Sequence, residues 1–381
     1  MIKKVFPILA LAMFSSILGL GIIVPLLPLY AQSMGATGVW LGIIMAAYST
    51  TSIASTPVFG RLSDRIGRKR FLCTGLLCYS VISLGYIWAG DVSSLILVRL
   101  LQGAAGGMTI PIALAYIGDA SPRGEEGKWM GYAHAAFFSG FGIGPLMGGM
   151  LTEHFGMTVT FSSMGGLNLI AFFIAAIFLP VVKSRQLRTE THPQPSFREM
   201  GKSSMVKGLF CFRLTQAMGR GSFMTFLPIL AATYLGLSLT LIGALLAVHV
   251  ILMSMLGTIG GRIADRFNRR VLIIIGNIIF IAYLALIPLT RNFWQLLGPC
   301  LLGGLGGAIS VPAASALIVE EGKKFGMGSA MAIFTMAMSL GMIIGPIISG
   351  GIAESLGTIS VFYFASAVGV VGGALFAWFT R

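Results

Sequence analysis

The sequence predicts an all-α membrane protein of twelve transmembrane helices, arranged as two parallel six-helix repeats. Three observations carry this reading: a succession of long apolar stretches, basic residues that fall almost wholly to one side of them, and an internal duplication. Of 381 residues, 56% are hydrophobic and only 10% charged, with mean hydropathy +0.90. A soluble domain is ordinarily about 45–50% apolar, and a helix needs about 20 mostly apolar residues to cross a bilayer.

Twelve stretches meet that length: Pro7–Tyr30, Trp40–Gly60, Phe71–Ala89, Leu95–Ile117, Met130–Leu151, Val159–Val182, Val206–Tyr234, Leu239–Ile259, Val271–Leu289, Phe293–Val319, Met327–Ile352 and Thr358–Phe379. The first follows Lys3 and Lys4, as a signal peptide would. It is too long for an h-region and carries Pro25 and Pro28, so it reads as a retained span. If spans alternate from a cytoplasmic N-terminus, all but four of the 26 lysines and arginines lie on the inner side. Arg291 is outside, and Arg99, Arg213 and Arg220 lie within spans. This asymmetry is the positive-inside rule. It places both termini in the cytoplasm and accounts for the net charge of +14 with no nucleic-acid partner. Cys73, Cys78, Cys211 and Cys300 fall in or beside apolar stretches with no CxxC pair, so they read as small buried hydrophobes, not a metal or disulfide framework.

One constant offset, that from Gly60 to Gly261, also carries Arg61, Asp64, Arg65, Arg68 and Lys69 onto Arg262, Asp265, Arg266, Arg269 and Arg270. It carries Gly103 onto Gly304, Pro111 onto Pro312 and Asp119 onto Glu320. Gly140, Gly144, Pro145, Gly149 and Glu153 land on Gly341, Gly345, Pro346, Gly350 and Glu354. Each copy holds an even number of spans, so the copies share one orientation, related by an axis along the membrane normal. The expected domains are an N-terminal six-helix bundle, 1–182, a cytoplasmic linker, 183–204, and a C-terminal bundle, 205–381. The linker Lys183–Ser204 is polar and proline-bearing, which argues against a packed domain.

The motifs within this frame resemble the major facilitator superfamily, and within it the twelve-span drug:proton antiporter group. Gly60-x₃-Asp64-Arg65-x-Gly67-Arg68-Lys69 follows the second span, with a weaker copy after the eighth in which Asn268 replaces the glycine. Arg99-x₂-Gln102-Gly103 lies in the fourth span. Gly131-x₈-Gly140-x₃-Gly144-Pro145-x₂-Gly148-Gly149 in the fifth is similar to the pattern of exporters. The resemblance implies alternating access around a central cavity lined by spans one, four, seven and ten, and efflux of small organic or amphipathic molecules coupled to protons. It implies a multi-pass protein of a bacterial inner membrane, acting as a monomer with no cofactor.

It also assigns roles. Gly60, Asp64, Arg65, Arg68 and Asp119, with Asp265, Arg266, Arg269 and Glu320, are expected to gate the cytoplasmic face. Asp64 would meet the N-terminus of span eleven, gaining about 0.3–1 kcal/mol from the helix dipole, Arg68 would reach Asp119, and Arg269 would reach Glu320. The alternative is that these charges only set topology. Gly140, Gly144 and Gly148 share a smooth face, and Pro145 removes a helical hydrogen bond; Gly341, Gly345, Pro346 and Gly350 repeat the arrangement. Together with Gly149 these residues are read as helix packing and bending elements, either for rocking or for ordinary close contact.

All twelve acids fall in loops or at span ends, and the place nine residues before Pro25, where many proton-driven relatives carry a carboxylate, holds Ser16. The embedded ionisable residues are basic. A charge at mid-bilayer costs on the order of 2.5–3.5 kcal/mol or more, so it normally faces a cavity. Arg213, Gln216 and Arg220 form one polar face of span seven. Arg99, Gln102, His134, Arg213, Gln216, Arg220 and His249 are therefore the candidate substrate-binding residues. The guanidinium groups either bind an anionic or zwitterionic solute, which would suit an importer or exchanger of an anionic metabolite, or satisfy backbone carbonyls. His134 and His249 are candidate proton carriers. No metal cluster or paired nucleophile and base is present in the sequence, so enzymatic activity is not expected.

Overall fold

A computed structural model describes residues 2–122, 124–180 and 200–381; the expected linker lies outside them up to residue 199. Eleven α-helices follow one another among the described residues. In the first half they are α1 (Ile2–Ser33), α2 (Gly38–Ile66), α3 (Arg68–Trp88), α4 (Val92–Ala120) and α5 (Glu126–Phe178). In the second half they are α6 (Ser204–Thr233), α7 (Leu239–Arg266), α8 (Arg269–Leu286), α9 (Phe293–Phe325), α10 (Met327–Leu356) and α11 (Thr358–Phe379). Spans five and six lie in the single 53-residue α5, which turns at Gly156. The φ of 82° there belongs to the left-handed region, open to glycine at no steric cost. Twelve membrane passages result.

Side-chain caps set the start of four helices, α4, α6, α8 and α9. Asp91 starts α4 with a reciprocal box: its Oδ1 accepts from Ser94 N at 2.7 Å, while Ser94 Oγ accepts from Asp91 N. Gly67 precedes α3 at φ 115°, whereas the equivalent Asn268 precedes α8 at φ −62° and caps it, accepting from Arg270 N at 3.0 Å. The glycine missing from the second signature is thus replaced by a different start signal. Among the described residues ten helices are long and apolar enough to cross a membrane. The remaining helix, α6, is 30 residues long but carries Arg213, Gln216 and Arg220.

Two compact units emerge. The first comprises Met1–Ala36, Ile43–Leu187 and Leu237–Ala247. Its core sets Leu9 and Met13 of α1 against Leu72 and Leu76 of α3, Ile112 and Tyr116 of α4, and Ala171 of α5. The second comprises Thr37–Gly42, Arg188–Gly236 and Val248–Arg381. There Leu209 and Phe212 of α6 meet Ile273 of α8, Leu317 of α9, Phe334 of α10 and Phe376 of α11. The first residues of α2 therefore belong with the second unit, and those of α7 with the first.

Candidate functional site

The Gly-Pro helices come together at bare backbone. In the first unit, a methyl group added at Gly140 would lie 2.8 Å from Phe14 O, at Gly144 2.7 Å from Gly21 Cα, and at Gly148 2.3 Å from Ile22 O, all on α1. In the second unit, Gly341 and Gly345 of α10 press in the same way on Leu214 O and Met218 O of α6, both at 2.4 Å. The next glycine along turns elsewhere. Gly149 abuts Leu239 O at the start of α7, and Gly350 abuts Gly38 O at the start of α2. The carboxylates just beyond complete each crossing: Glu153 Oε2 accepts from Thr240 N at 3.0 Å, and Glu354 Oε2 accepts from Val39 N at 3.4 Å. Both acids sit at helix N-termini, where unpaired N–H groups and the helix dipole favour negative charge. The hydrogen bonds from Thr240 hold the Glu153 carboxyl below the usual glutamate range.

At the opposite ends, Arg68 Nε lies 2.7 Å from Asp119 Oδ2 with both side chains largely buried, and its NH2 lies 3.0 Å from Asp64 Oδ1. In the second unit Arg269 pairs with Glu320 and approaches Asp265 at 3.7 Å. Asp64 and Asp265 are otherwise exposed. Gly60, Arg65 and Arg266 flank these clusters on the last turns of α2 and α7.

Between the two ends, the first unit seals a polar group around Arg99, which is 3% exposed. Its Nε donates to Ile44 O at 3.3 Å, its NH1 donates to Gln102 Oε1 at 2.9 Å, and its guanidinium lies 4.9 Å from the centre of the Tyr48 ring. Tyr86 donates to the same Gln102 oxygen at 2.6 Å. Arg99 thus engages a backbone carbonyl, an amide and an aromatic face at once. Ser16 is buried and donates to Asn168 Oδ1 at 3.1 Å, so the place nine residues before Pro25 is occupied by a neutral Ser–Asn pair. His134 is exposed, with its ring beside Phe138 one turn along α5, away from this cluster.

In the second unit Arg213 and Arg220 are partly buried. Arg213 NH1 donates to Gln216 Oε1 at 3.3 Å, its NH2 approaches Met338 Sδ at 2.9 Å, and its guanidinium lies 4.9 Å from the Phe334 ring centre. Gln216 in turn donates to Ser310 Oγ at 3.0 Å. Arg220 NH2 approaches Met253 Sδ at 3.1 Å. His249 is buried among Phe223 and Tyr283, with Nδ1 3.1 Å from Cys300 O. The repeat offset relates these last groups to the first unit: His249 occupies the place of Tyr48 and Cys300 that of Arg99. The same helix pair is thus tied by a cation over a ring in one unit and by an imidazole on a carbonyl in the other. Met253, Ser310 and Asn168 join these clusters with nothing in the sequence to mark them, whereas Met338 belongs to the methionine-rich run of span eleven. Pairing across helices depends on helix rotation, for which a lone Met or Ser in an apolar span gives no signal.

Paired repeats of six spans, each with polar side chains held at mid-span and glycine-backed helix crossings, define a membrane transporter. The Major Facilitator Superfamily profile matches residues 9–216 and 209–381, and the chain belongs to that family. It is 28% identical to an MFS-type transporter of Methanocaldococcus jannaschii over 379 residues, covering 98% of this chain and 97% of that one. It is also 28% identical to the multidrug resistance protein MdtG of Salmonella typhimurium, covering 94% and 90% of the two chains. Among solved structures, the nucleoside transporter NupG superposes with a TM-score of 0.84 at 15% identity, covering 99% of this chain and all of that one. The protein is an integral, multi-pass membrane transporter of small molecules.

Proposed function

We propose that this transporter is an exporter of small organic or amphipathic molecules that works by alternating access. The observation that carries the reading is the pair of Gly-Pro helices. At Gly144 and Gly345 each meets the backbone of its neighbour with no interlocking side chain, so small tilts about these crossings do not require rotamers to be exchanged there. Export is supported by the likeness to MdtG, a multidrug resistance protein. The bundles 1–182 and 205–381 are the moving parts, with the Arg68–Asp119 and Arg269–Glu320 clusters bracing the cytoplasmic end of each as gating elements. The one-sided basic residues support cytoplasmic termini in a bacterial inner membrane. Protons are the coupling ion we favour, with exposed His134 the accessible carrier and His249 the buried one, and the monomer is the working unit.

Purified protein in proteoliposomes tests this directly. Cationic, neutral and anionic dyes would be followed with and without an imposed pH gradient. Gradient-driven movement of at least one dye class, abolished by dissipating the gradient, is expected. Absence of flux for every class, or flux indifferent to the gradient, would overturn exporter and coupling respectively.

A further inference from the structure

The second unit holds two positive charges in mid-span with no counter-charge beside them among the described residues. Among its described residues the acids are Asp265, Glu320, Glu321 and Glu354, all near helix ends. Arg213 and Arg220 lie seven residues apart on one face of α6, a rise of about 10 Å. Each guanidinium carries five N–H donors in a rigid fork. Arg213 spends one on Gln216 and directs another at a methionine sulfur, a weak acceptor, while its buried Nε has no hydrogen-bond partner among the described residues. Arg220 directs one at Met253 sulfur. Arg99 in the first unit has a backbone carbonyl as well as an amide and a ring; Arg213 has the amide and the ring but, in place of the carbonyl, only a thioether.

The surroundings show what such an acceptor would be attached to. Phe334 and Met338 lie against Arg213, and Met253 lies against Arg220. These are soft, apolar and able to repack around varied shapes. We infer that Arg213 and Arg220 form the recognition site for an organic anion, an amphiphile whose carboxylate or phosphate takes the free donors while its apolar body rests on Phe334, Met338 and Met253. This rests on the transport reading above and narrows its substrate class. The same chemistry is offered by a free solute or by a phosphate-bearing lipid.

The test uses the full chain in detergent and a matched set of probes: 2-naphthoate, 2-naphthylmethylammonium and 2-naphthylmethanol. Calorimetry should show binding of the carboxylate at least tenfold tighter than of the other two. Arg220→Gln should weaken carboxylate binding about ten- to a hundredfold, the loss expected for a charged hydrogen bond, with the ammonium and alcohol unaffected. Arg220→Lys, which keeps the charge and loses the fork, should fall between. Arg213→Lys serves the other end of the site if Arg213→Gln fails to fold, and exposed Arg291→Gln should bind as the parent does. Accumulation of labelled naphthoate in proteoliposomes would mark the anion as cargo. Binding without accumulation, displaced by lysophosphatidylglycerol, would mark a lipid headgroup in the same site. Equal affinity for all three probes, or unchanged carboxylate affinity in both arginine variants, overturns the inference. Dye flux surviving that result would leave the exporter reading standing, whereas loss of all flux would remove it separately.

Discussion

Replacing Gly345 with alanine should destabilise the protein, while the same change at Gly351, six residues along α10, should not. The new methyl at position 345 would lie 2.4 Å from Met218 O and 2.5 Å from Met218 Cα, where ordinary contact begins at 3.4 Å. Both obstructing atoms are backbone, so α6 and α10 must part by about 1 Å. A gap of 0.5–1 Å forfeits about a quarter to a half of the dispersion energy of each affected contact, and forced overpacking costs about 1–3 kcal/mol. Alanine returns at most about 1 kcal/mol through helix propensity. At Gly351 the methyl would meet only Val39 Cγ2 at 3.9 Å, an ordinary contact, so only the propensity gain applies there. The two variants should therefore differ by about 1–3 kcal/mol. Melting in detergent, followed by a thiol-reactive dye that reports exposure of buried Cys300, reads the order. Gly345→Ala should melt below the parent, and Gly351→Ala at or above it. If Gly345→Ala melted as high as Gly351→Ala, the claim of backbone-to-backbone crossing would fail, and with it the basis for easy tilting.

Three further outcomes follow from the same geometry. Asp119→Asn leaves largely buried Arg68 without its closest carboxylate and should cost about 1–3 kcal/mol, whereas exposed Asp265→Asn should cost about 0–1 kcal/mol; equal melting points for the two would refute the distinction. Ser16→Ala strips Asn168 Oδ1 of a buried donor and should cost about 1–3 kcal/mol, largely restored by the double change Ser16→Ala, Asn168→Leu; no rescue in that cycle would count against the pair. The Glu153 carboxyl is held below its ordinary value near 4.5, so its contribution is fully present above that value and fades as pH falls through the lower folded one. The melting difference between parent and Glu153→Gln should accordingly be constant from pH 8 to about 5 and shrink in more acid solution; a difference that grew on acidification would contradict the sign.

The twelve passages were readable from hydropathy because a bilayer demands long apolar runs and internal backbone pairing. The Gly-Pro faces were readable because helical spacing puts Gly140, Gly144 and Gly148 in line. Which helix each face would meet was not. Gly149, adjacent in sequence to Gly148, points to the start of α7, while Gly148 points to α1. Arg99 and Arg213 look alike as single embedded cations. Each donates to a glutamine and faces a ring; what separates them is the remaining neighbour, Ile44 O for Arg99 and the Met338 sulfur for Arg213. Asn268 carried a local signal, since a side chain that caps can stand where a glycine opens the turn.

The exchange of helix tips has a consequence for how the two halves could exist apart. A fragment ending before residue 205 lacks Leu239, Thr240 and Gly243, the backbone that Pro145, Gly149 and Glu153 rest upon. A fragment beginning there lacks Gly38, Val39 and Gly42, which serve Pro346, Gly350 and Glu354 in the same way. Split at its natural joint, each piece would carry a bare glycine groove and an unanswered carboxylate that only the other piece could complete. Co-production of both pieces should therefore rescue what neither achieves alone.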